Sequence, residues 1–146
     1  MAGRIYSVGY EGFEVAALAQ RLAQADVRVL VDVRLNAVSR RPGFSKKALA
    51  AALEAVGVDY LHEPELGNPQ DNRDAFRRGA GDEGREKMRS RLSNGSRPAL
   101  ERLVALAHEQ RVAVLCVERE RLRCHRDVIT DMVVELDPSV EILQVV

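Results

Sequence analysis

The sequence is poor in the residue types that mark nucleic-acid platforms, zinc sites and membrane spans. It has no tryptophan, three tyrosines and three phenylalanines in 146 residues, so an aromatic stacking surface for single-stranded nucleic acid is not indicated. Its two cysteines lack the close paired spacing of most zinc sites, and we predict no metal or other cofactor. No apolar run approaches the roughly 20 residues that a membrane-spanning helix needs.

Lysine is scarce as well, because Lys46, Lys47 and Lys87 are the only lysines among 22 basic residues. The acidic residues also number 22, so net charge points to no particular partner. The planar fork of arginine, which supplies the remaining basic residues, suits phosphate and carboxylate groups. The first residues lead straight into a strand-like pattern without the apolar core of a signal peptide. We therefore expect a cytoplasmic protein with free thiols and no membrane span.

Strand-like and helix-like patterns alternate along the whole chain. The patterns predict strands at 5–8, 27–33, 58–61, 112–117 and 141–146, and helices at 13–25, 46–56, 85–92, 98–110 and 129–136. Ser45 is the predicted N-cap of the second helix, and Gly57 its C-terminal stop. The alternation predicts an α/β fold, a three-layer Rossmann-like domain with a mostly parallel sheet and helices on both faces.

The length fits one domain spanning residues 1–146, with a polar excursion at about 62–98. This stretch is rich in glycine and proline, and a long polar excursion in a compact domain is often functional. Residues 71–97 contain eight basic and five acidic side chains, a mild positive bias that a solvated helix face also explains.

Polar side chains stand where three of the predicted strands end. In a parallel sheet the carboxyl ends of all strands meet at one edge, where α/β domains usually bind their ligands. The residues at these ends are Tyr10 and Glu11 after the first strand, Asp32 and Arg34 after the second, and Cys116 and Glu118 after the strand at 112–117. The sequence therefore predicts a site at this edge.

Asp32 and Arg34 lie two positions apart, so both point to the same side of an extended strand. One interpretation is an ion pair that fixes the end of the strand. The other makes Arg34 an anion clamp, with Asp32 as its orienter or as a general base. Ser39 and Arg40 in the following loop add a hydroxyl and a guanidinium suited to a phosphate.

The segment after the strand at 112–117 gathers several reactive side chains. Cys116 fits a small buried apolar residue, whereas Cys124 lies beside basic residues at a predicted helix start, a setting that favours a thiolate. Glu118 fits either an acid–base group in a partly desolvated site or an ion-pair partner of Arg126 or Arg34.

Short motifs follow one another from near the start of the chain to its last helix. They are Ser7-Val8-Gly9-Tyr10-Glu11-Gly12, Val31-Asp32-Val33-Arg34, Ser39-Arg40-Arg41-Pro42-Gly43-Phe44, Tyr60 with Glu65-Leu66-Gly67-Asn68-Pro69, and Leu115-Cys116-Val117-Glu118 leading to Cys124-His125-Arg126. In this combination the chain resembles the DUF488 family, small bacterial and archaeal proteins without an assigned function. Ala37 departs from the family pattern, which often has proline there, and this puts the rigidity of the loop in question.

The resemblance implies that nine residues form one constellation. They are Tyr10, Asp32, Arg34, Ser39, Arg40, Glu118, Cys124, His125 and Arg126. The resemblance implies no substrate.

Our leading hypothesis is an enzyme or a binding domain for a phosphorylated or nucleotide-type ligand, free or within a nucleic acid. The roles are anion binding for Arg34, Arg40 and Arg126, acid–base chemistry for Glu118 or Asp32, and orientation for Tyr10 and His125. The first alternative is thiol-based sulfur transfer or redox chemistry, with Cys124 as nucleophile and Cys116 as resolving thiol. The second is a non-catalytic module that binds nucleic acid or a protein partner through residues 71–97. The sequence leaves open whether the protein is an enzyme and what its oligomeric state is.

Overall fold

The computed structural model describes residues 3–69, 72, 81–118 and 125–145, and five parallel strands in this part of the chain form one sheet. In chain order the strands are β1 Arg4–Gly9, β2 Val29–Asp32, β3 Asp59–His62, β4 Val112–Cys116 and β5 Glu141–Val145. Their order across the sheet is β3-β2-β4-β1-β5, so β4 is the central strand and β3 an edge strand.

Helices alternate with these strands. The α-helices in the described ranges are α1 Val15–Gln24, α2 Lys46–Glu54, α3 Gly81–Ser93, α4 Arg97–Glu109 and α5 Arg126–Leu136, and a 3-10 turn occupies Pro64–Leu66 after β3. The predicted three-layer α/β fold is confirmed, with a sheet that is parallel throughout the described ranges. Within those ranges no helix is long and apolar enough to cross a membrane.

The ends of the elements differ from the predicted ones for local reasons. The first helix begins slightly later than predicted because Gly12 has a φ of 89° and the Phe13 N–H bonds the Tyr10 carbonyl in a turn. The second strand ends at Asp32, whose carboxylate accepts the backbone N–H of Arg34. A side chain that bonds its own backbone two residues on competes with the ladder of the sheet.

Alternate residues of the strands enter two separate cores. On β4, Val112 and Val114 belong to the core beneath α3, α4 and α5, whereas Ala113 and Leu115 belong to the core beneath α1 and α2. We call these the α5 side and the α1 side of the sheet. All four residues are fully buried, and burying a Val or Leu side chain contributes about 1.5–3 kcal/mol. This double burial accounts for the unbroken apolar run of β4.

Part of the predicted polar excursion is a helix of the core. Met88 and Leu92 on α3 are fully buried in the core of the α5 side. Arg85 bonds Asp127 and Asp131 on α5, so charge pairs as well as apolar contacts hold α3 against it. Further basic residues of this stretch are also paired: Lys87 with Glu83, Arg89 with Glu135 and Arg97 with Glu101. Residues 70, 71 and 73–80 lie outside the described ranges.

The helix that follows the central strand packs on the opposite side of the sheet from the helices that follow its two neighbours. β1 and β2 are followed by α1 and α2 on the α1 side, while β4, which lies between them, is followed by α5 on the α5 side. Adjacent strands whose following segments depart in opposite directions open a crevice at the carboxyl edge of the sheet. This edge coincides with the site predicted from the sequence.

Candidate functional site

Asp32 and Arg34 form a buried ion pair at the end of β2. Nη2 of Arg34 lies 2.6 Å from Oδ2 of Asp32, and Nε lies 2.9 Å from Oδ1, so the two planar groups meet side by side. Nη1 of Arg34 donates a 2.7 Å hydrogen bond to the Phe44 carbonyl. Asp32 is 0% and Arg34 4% exposed. The predicted ion pair is therefore present, and the same contacts orient the guanidinium of Arg34.

Tyr60 on β3 completes the surroundings of this carboxylate. Its hydroxyl donates a 2.5 Å hydrogen bond to Oδ2 of Asp32, while the Arg34 backbone N–H donates to Oδ1 at 3.1 Å. Burial and this bond to Asp32 hold the pKa of Tyr60 well above its ordinary value, so the hydroxyl stays protonated. Both carboxylate oxygens of Asp32 therefore already accept hydrogen bonds from other groups of the protein.

Tyr10 lies over Arg34 on the α1 side of the sheet. The Tyr10 ring stacks on Phe44 with centroids 4.3 Å apart, and the Arg34 guanidinium carbon lies 5.4 Å from the centre of the Tyr10 ring. The Tyr10 hydroxyl donates a 3.0 Å hydrogen bond to the Ser39 hydroxyl. The structure thus brings together four predicted site residues: Tyr10, Asp32, Arg34 and Ser39.

Serine hydroxyls fix the loop between β2 and α2. Ser45 precedes α2 as predicted, but its hydroxyl does not cap the helix. It accepts the Ser39 N–H at 2.9 Å and donates to the Ser39 carbonyl at 3.2 Å, which closes the loop on itself. Gly43 has a φ of 89°, and a Cβ there would lie 2.5 Å from a methyl of Val15, so only glycine fits.

The loop holds Arg40 in an exposed position. Its neighbour Ser39 is tied to Tyr10, and Arg41 donates a 2.8 Å hydrogen bond to the Phe13 carbonyl. Arg40 itself is exposed and bonds no residue in the described part of the chain. Glu11, the remaining predicted ligand-binding residue of the β1 end, is also exposed, and its backbone N–H bonds the Val117 carbonyl.

Arg126 enters the same edge from the α5 side. It is the first residue of α5 and is 1% exposed. Its Nε donates a 2.8 Å hydrogen bond to the Ser7 hydroxyl, and its Nη1 donates to Sγ of Cys116 at 3.1 Å and to the Glu118 carbonyl. Burial lowers the pKa of Arg126 to about 10 against the opposing charges of Glu118 and Asp127, so the guanidinium remains charged at neutral pH.

Two histidines bond successive carbonyls just beyond β2. Nε2 of His125 lies 2.8 Å from the Val33 oxygen, and Nε2 of His62 lies 2.8 Å from the Arg34 oxygen. His125 comes from the start of α5 and is buried, whereas His62 is the last residue of β3 and is partly exposed. The two rings join the end of β2 to elements on both of its sides.

Cys116 departs from the expectation of free thiols. It is disulfide-bonded, and no described cysteine is free. The expectation rested on compartment, but a cysteine at the end of a strand lies where the chain turns and a second sulfur can approach it. Cys124, the predicted nucleophile, lies outside the described residues, so its role stays a prediction.

Glu118 is half-buried beyond β4, and its Oε2 lies 3.8 Å from Sγ of Cys116. Its role in acid–base chemistry stays a prediction. Across the described ranges, no group of three or more His, Cys, Asp or Glu side chains is arranged to hold a metal ion.

The sheet divides the predicted constellation into two groups. Tyr10 and the ion pair of Asp32 with Arg34 lie on the α1 side, and Arg126 with the Cys116 sulfur lies on the α5 side. Strand alternation causes this division, because side chains of a strand project to opposite sides in turn. The carboxyl end of β4 lies between the two groups.

Two further residues, Tyr60 and His62, bond this cluster of polar groups and were not assigned to it from the sequence. Tyr60 bonds Asp32 and His62 bonds the Arg34 carbonyl, both from the edge strand β3. Tyr60 lay on the strand predicted at 58–61, but His62 lay just beyond it, and β3 extends to His62 in the structure. Which residues lie beside their side chains depends on the order of the strands in the sheet.

Comparison with protein families matches residues 14–133 to the family described as Domain of unknown function DUF488. No curated protein and no solved structure matches the chain. The matched residues run from the position before α1 into α5 and include Asp32, Arg34, Tyr60 and Arg126. Since the match covers most of the chain, the protein belongs to the DUF488 family, as its motifs indicated.

Proposed function

We propose that this protein binds a phosphorylated small molecule, such as a sugar phosphate or a nucleotide, at the carboxyl edge of its sheet. The observation that carries the proposal is the course of the chain around β4. β4 lies between β1 and β2, and the helix that follows β4 packs on the opposite side of the sheet from those that follow β1 and β2. Such a crevice is where open α/β sheets bind ligands.

The charge at the two sides of the crevice supports an anionic ligand. Asp32 neutralises Arg34 and leaves that pair as a rigid support for Tyr10 and the loop. Arg126 supplies a desolvated positive charge from the α5 side, where electrostatic attraction exceeds that in water. Arg40 supplies an exposed guanidinium suited to bidentate contact with phosphate.

Proton transfer to or from the ligand falls to Glu118 in this proposal. Its carboxylate is half-buried at the end of the central strand, whereas Asp32 is fully buried and occupied by its own donors. A partly desolvated carboxyl group is suited to acid–base chemistry.

The pairing of three of the four described basic residues on α3 favours a small ligand over a nucleic-acid strand. Arg85 and Arg89 both bond carboxylates of α5, and Lys87 pairs with Glu83 on its own helix. Side chains engaged in this way offer little to a phosphate backbone, which is bound chiefly through lysine and arginine charges.

Calorimetric titration and thermal shift with ribose 5-phosphate, adenosine monophosphate and pyrophosphate test the proposal. At about 100 times the dissociation constant, a bound ligand stabilises the fold by roughly 2.7 kcal/mol. We expect Arg40→Ala to weaken binding about tenfold, since a charge-assisted hydrogen bond contributes roughly 1.5–3 kcal/mol. Its exposed side chain has no described partner, so the fold stays intact.

Arg28→Ala is the matched control. Arg28 is also an exposed arginine whose side chain has no described partner, but it precedes β2 at the opposite, amino edge of the sheet. We expect this variant to bind like the wild type. Absence of binding of all three probes to the wild type, or equal loss in both variants, contradicts the proposal.

A further inference from the structure

The hydrogen bond of His62 determines which ring nitrogen carries its proton. Nε2 lies 2.8 Å from the carbonyl oxygen of Arg34. A carbonyl oxygen only accepts hydrogen bonds, so Nε2 must donate and therefore bears the hydrogen. In the neutral imidazole the other nitrogen, Nδ1, then has a bare lone pair and is an acceptor.

Nδ1 of His62 is not used by the fold. No described residue bonds it, and the ring is partly exposed. His62 is the last residue of β3, in register with Asp32 at the end of β2. Strand alternation directs His62 and Tyr60 to the same side, the side on which Tyr60 bonds Asp32.

The neighbouring polar groups are committed to one another. Asp32 is 0% exposed and accepts from Arg34 and from Tyr60. The Tyr60 hydroxyl donates its one hydrogen to that carboxylate, so it cannot also donate a hydrogen bond to a ligand. At the ends of β2 and β3, Nδ1 of His62 is a ring-nitrogen acceptor that no described residue uses.

We propose that His62 is the ligand-facing acceptor of this site, with Nδ1 accepting a hydrogen bond from a hydroxyl of the bound molecule. This inference rests on the proposed function and narrows it to phosphorylated ligands that also carry hydroxyl groups, such as sugar phosphates. The hydrogen bond from Nε2 to Arg34 holds the ring so that it presents Nδ1 in a fixed orientation.

The substitution His62→Gln distinguishes the structural role of Nε2 from the proposed binding role of Nδ1. The terminal amide of glutamine can replace the Nε2–H donor to the Arg34 carbonyl, while the Nδ1 acceptor is lost. We therefore expect a folded variant of nearly unchanged stability. His108→Gln is the control, because His108 is exposed and bonds Asp137 away from the carboxyl edge.

Ribose 5-phosphate and sulfate are the probes for both variants and the wild type. Sulfate is an anion without a hydroxyl donor, whereas ribose 5-phosphate carries several. We expect His62→Gln to weaken ribose 5-phosphate binding roughly tenfold, as the loss of one hydrogen bond implies, and to leave sulfate binding within about twofold. His108→Gln is expected to change neither.

The outcomes distinguish the two proposals. If the wild type binds neither probe, this inference fails, and the proposed function fails with it when adenosine monophosphate and pyrophosphate do not bind either. If the wild type binds both and His62→Gln weakens both or neither, the role of His62 is wrong while anion binding stands. Long-range proton–nitrogen correlation spectra of the wild type give an independent check, in which a protonated Nδ1 and bare Nε2 at neutral pH would overturn the inference even if the variant failed to fold.

Discussion

The Tyr60 hydroxyl donates a 2.5 Å hydrogen bond to Oδ2 of Asp32 and so joins the edge strand β3 to the buried ion pair at the end of β2. Through this bond and that of His62, the edge strand holds the side chain of Asp32, the last residue of β2, and the main chain of Arg34 beyond it. Tyr60 therefore contributes to the stability of the site as well as to the edge strand.

We predict that Tyr60→Phe destabilises the protein by about 1.5–3 kcal/mol, because a buried carboxylate loses one of its donors. Urea denaturation measures the change in the free energy of unfolding. Tyr6→Phe is the control, since Tyr6 is also partly buried but its hydroxyl bonds no described residue. Equal effects of the two substitutions would contradict the role of this hydrogen bond.

The same hydroxyl gives the protein a predicted pH dependence. Burial raises the pKa of Tyr60 above its ordinary value of 10.0, so the folded state holds this proton more tightly than the unfolded chain. The associated stability is fully present below pH 10 and is lost as the pH rises further. The stability difference between wild type and Tyr60→Phe should therefore shrink above about pH 10, and a constant difference would be inconsistent with this coupling.

The ion pair of Asp32 and Arg34 predicts strong non-additivity. Asp32→Ala or Arg34→Ala alone should cost about 3–5 kcal/mol, because each leaves a buried charge without its partner. The double variant should cost much less than the sum of the two, which a double-mutant cycle in urea measures.

Arg4→Ala is the control for that cycle, because Arg4 pairs with Glu141 at the surface, where the two side chains are 44% and 54% exposed. An exposed pair of this kind contributes about 0–1 kcal/mol. Additive effects at Asp32 and Arg34, or singles as mild as Arg4→Ala, would show that the buried pair is not coupled.

The attachment of α3 to α5 is predicted to depend on ionic strength. Arg85 bonds Asp127 at 2.8 Å and Asp131 at 2.9 Å, and the Asp127 side chain is 6% exposed. We expect Arg85→Ala to cost about 1–3 kcal/mol at low salt and less in about 1 M salt, where charges are screened.

Lys87→Ala tests whether any charge on α3 would give the same result. Lys87 pairs with Glu83 on the same helix, and both side chains are exposed, so the expected cost stays below about 0.5 kcal/mol. Hydrogen exchange of α3 should accelerate in Arg85→Ala and not in Lys87→Ala. Unchanged exchange in both variants would mean that Met88 and Leu92 alone hold the helix.

Much of the fold was predictable because its signals are local. The apolar run of β4 and the helical spacing on α1, α4 and α5 reflect burial patterns with fixed periods. Gly57 follows α2 as its predicted C-terminal stop. Its φ of 82° is a left-handed conformation that glycine adopts readily and that ends a helix. Ser45 precedes α2 as predicted, but its hydroxyl bonds the main chain of Ser39. The position of Ser45 in the sequence does not reveal this partner.

The gathering of polar side chains at the strand ends was predictable, whereas the contacts among these side chains were less so. The sequence indicated that polar side chains would collect at the strand ends, and Tyr10, Ser39 and Arg34 do so. Tyr60 was named only among the family motifs, and His62 was not singled out. Their partners, Asp32 and Arg34, lie at and just beyond the end of β2, and the sequence does not show that β3 pairs with β2.

By itself, the sequence determined the alternation of strands and helices and the chemistry available at their ends, because periodicity and composition are properties of short stretches of chain. Only the tertiary structure decided that Arg34 and Arg126 lie on opposite sides of the sheet and that Asp32 is shared by Arg34 and Tyr60. The physical reason is that strand order and the side on which each helix packs are set by burial over the whole domain. These long-range choices decide which polar groups meet.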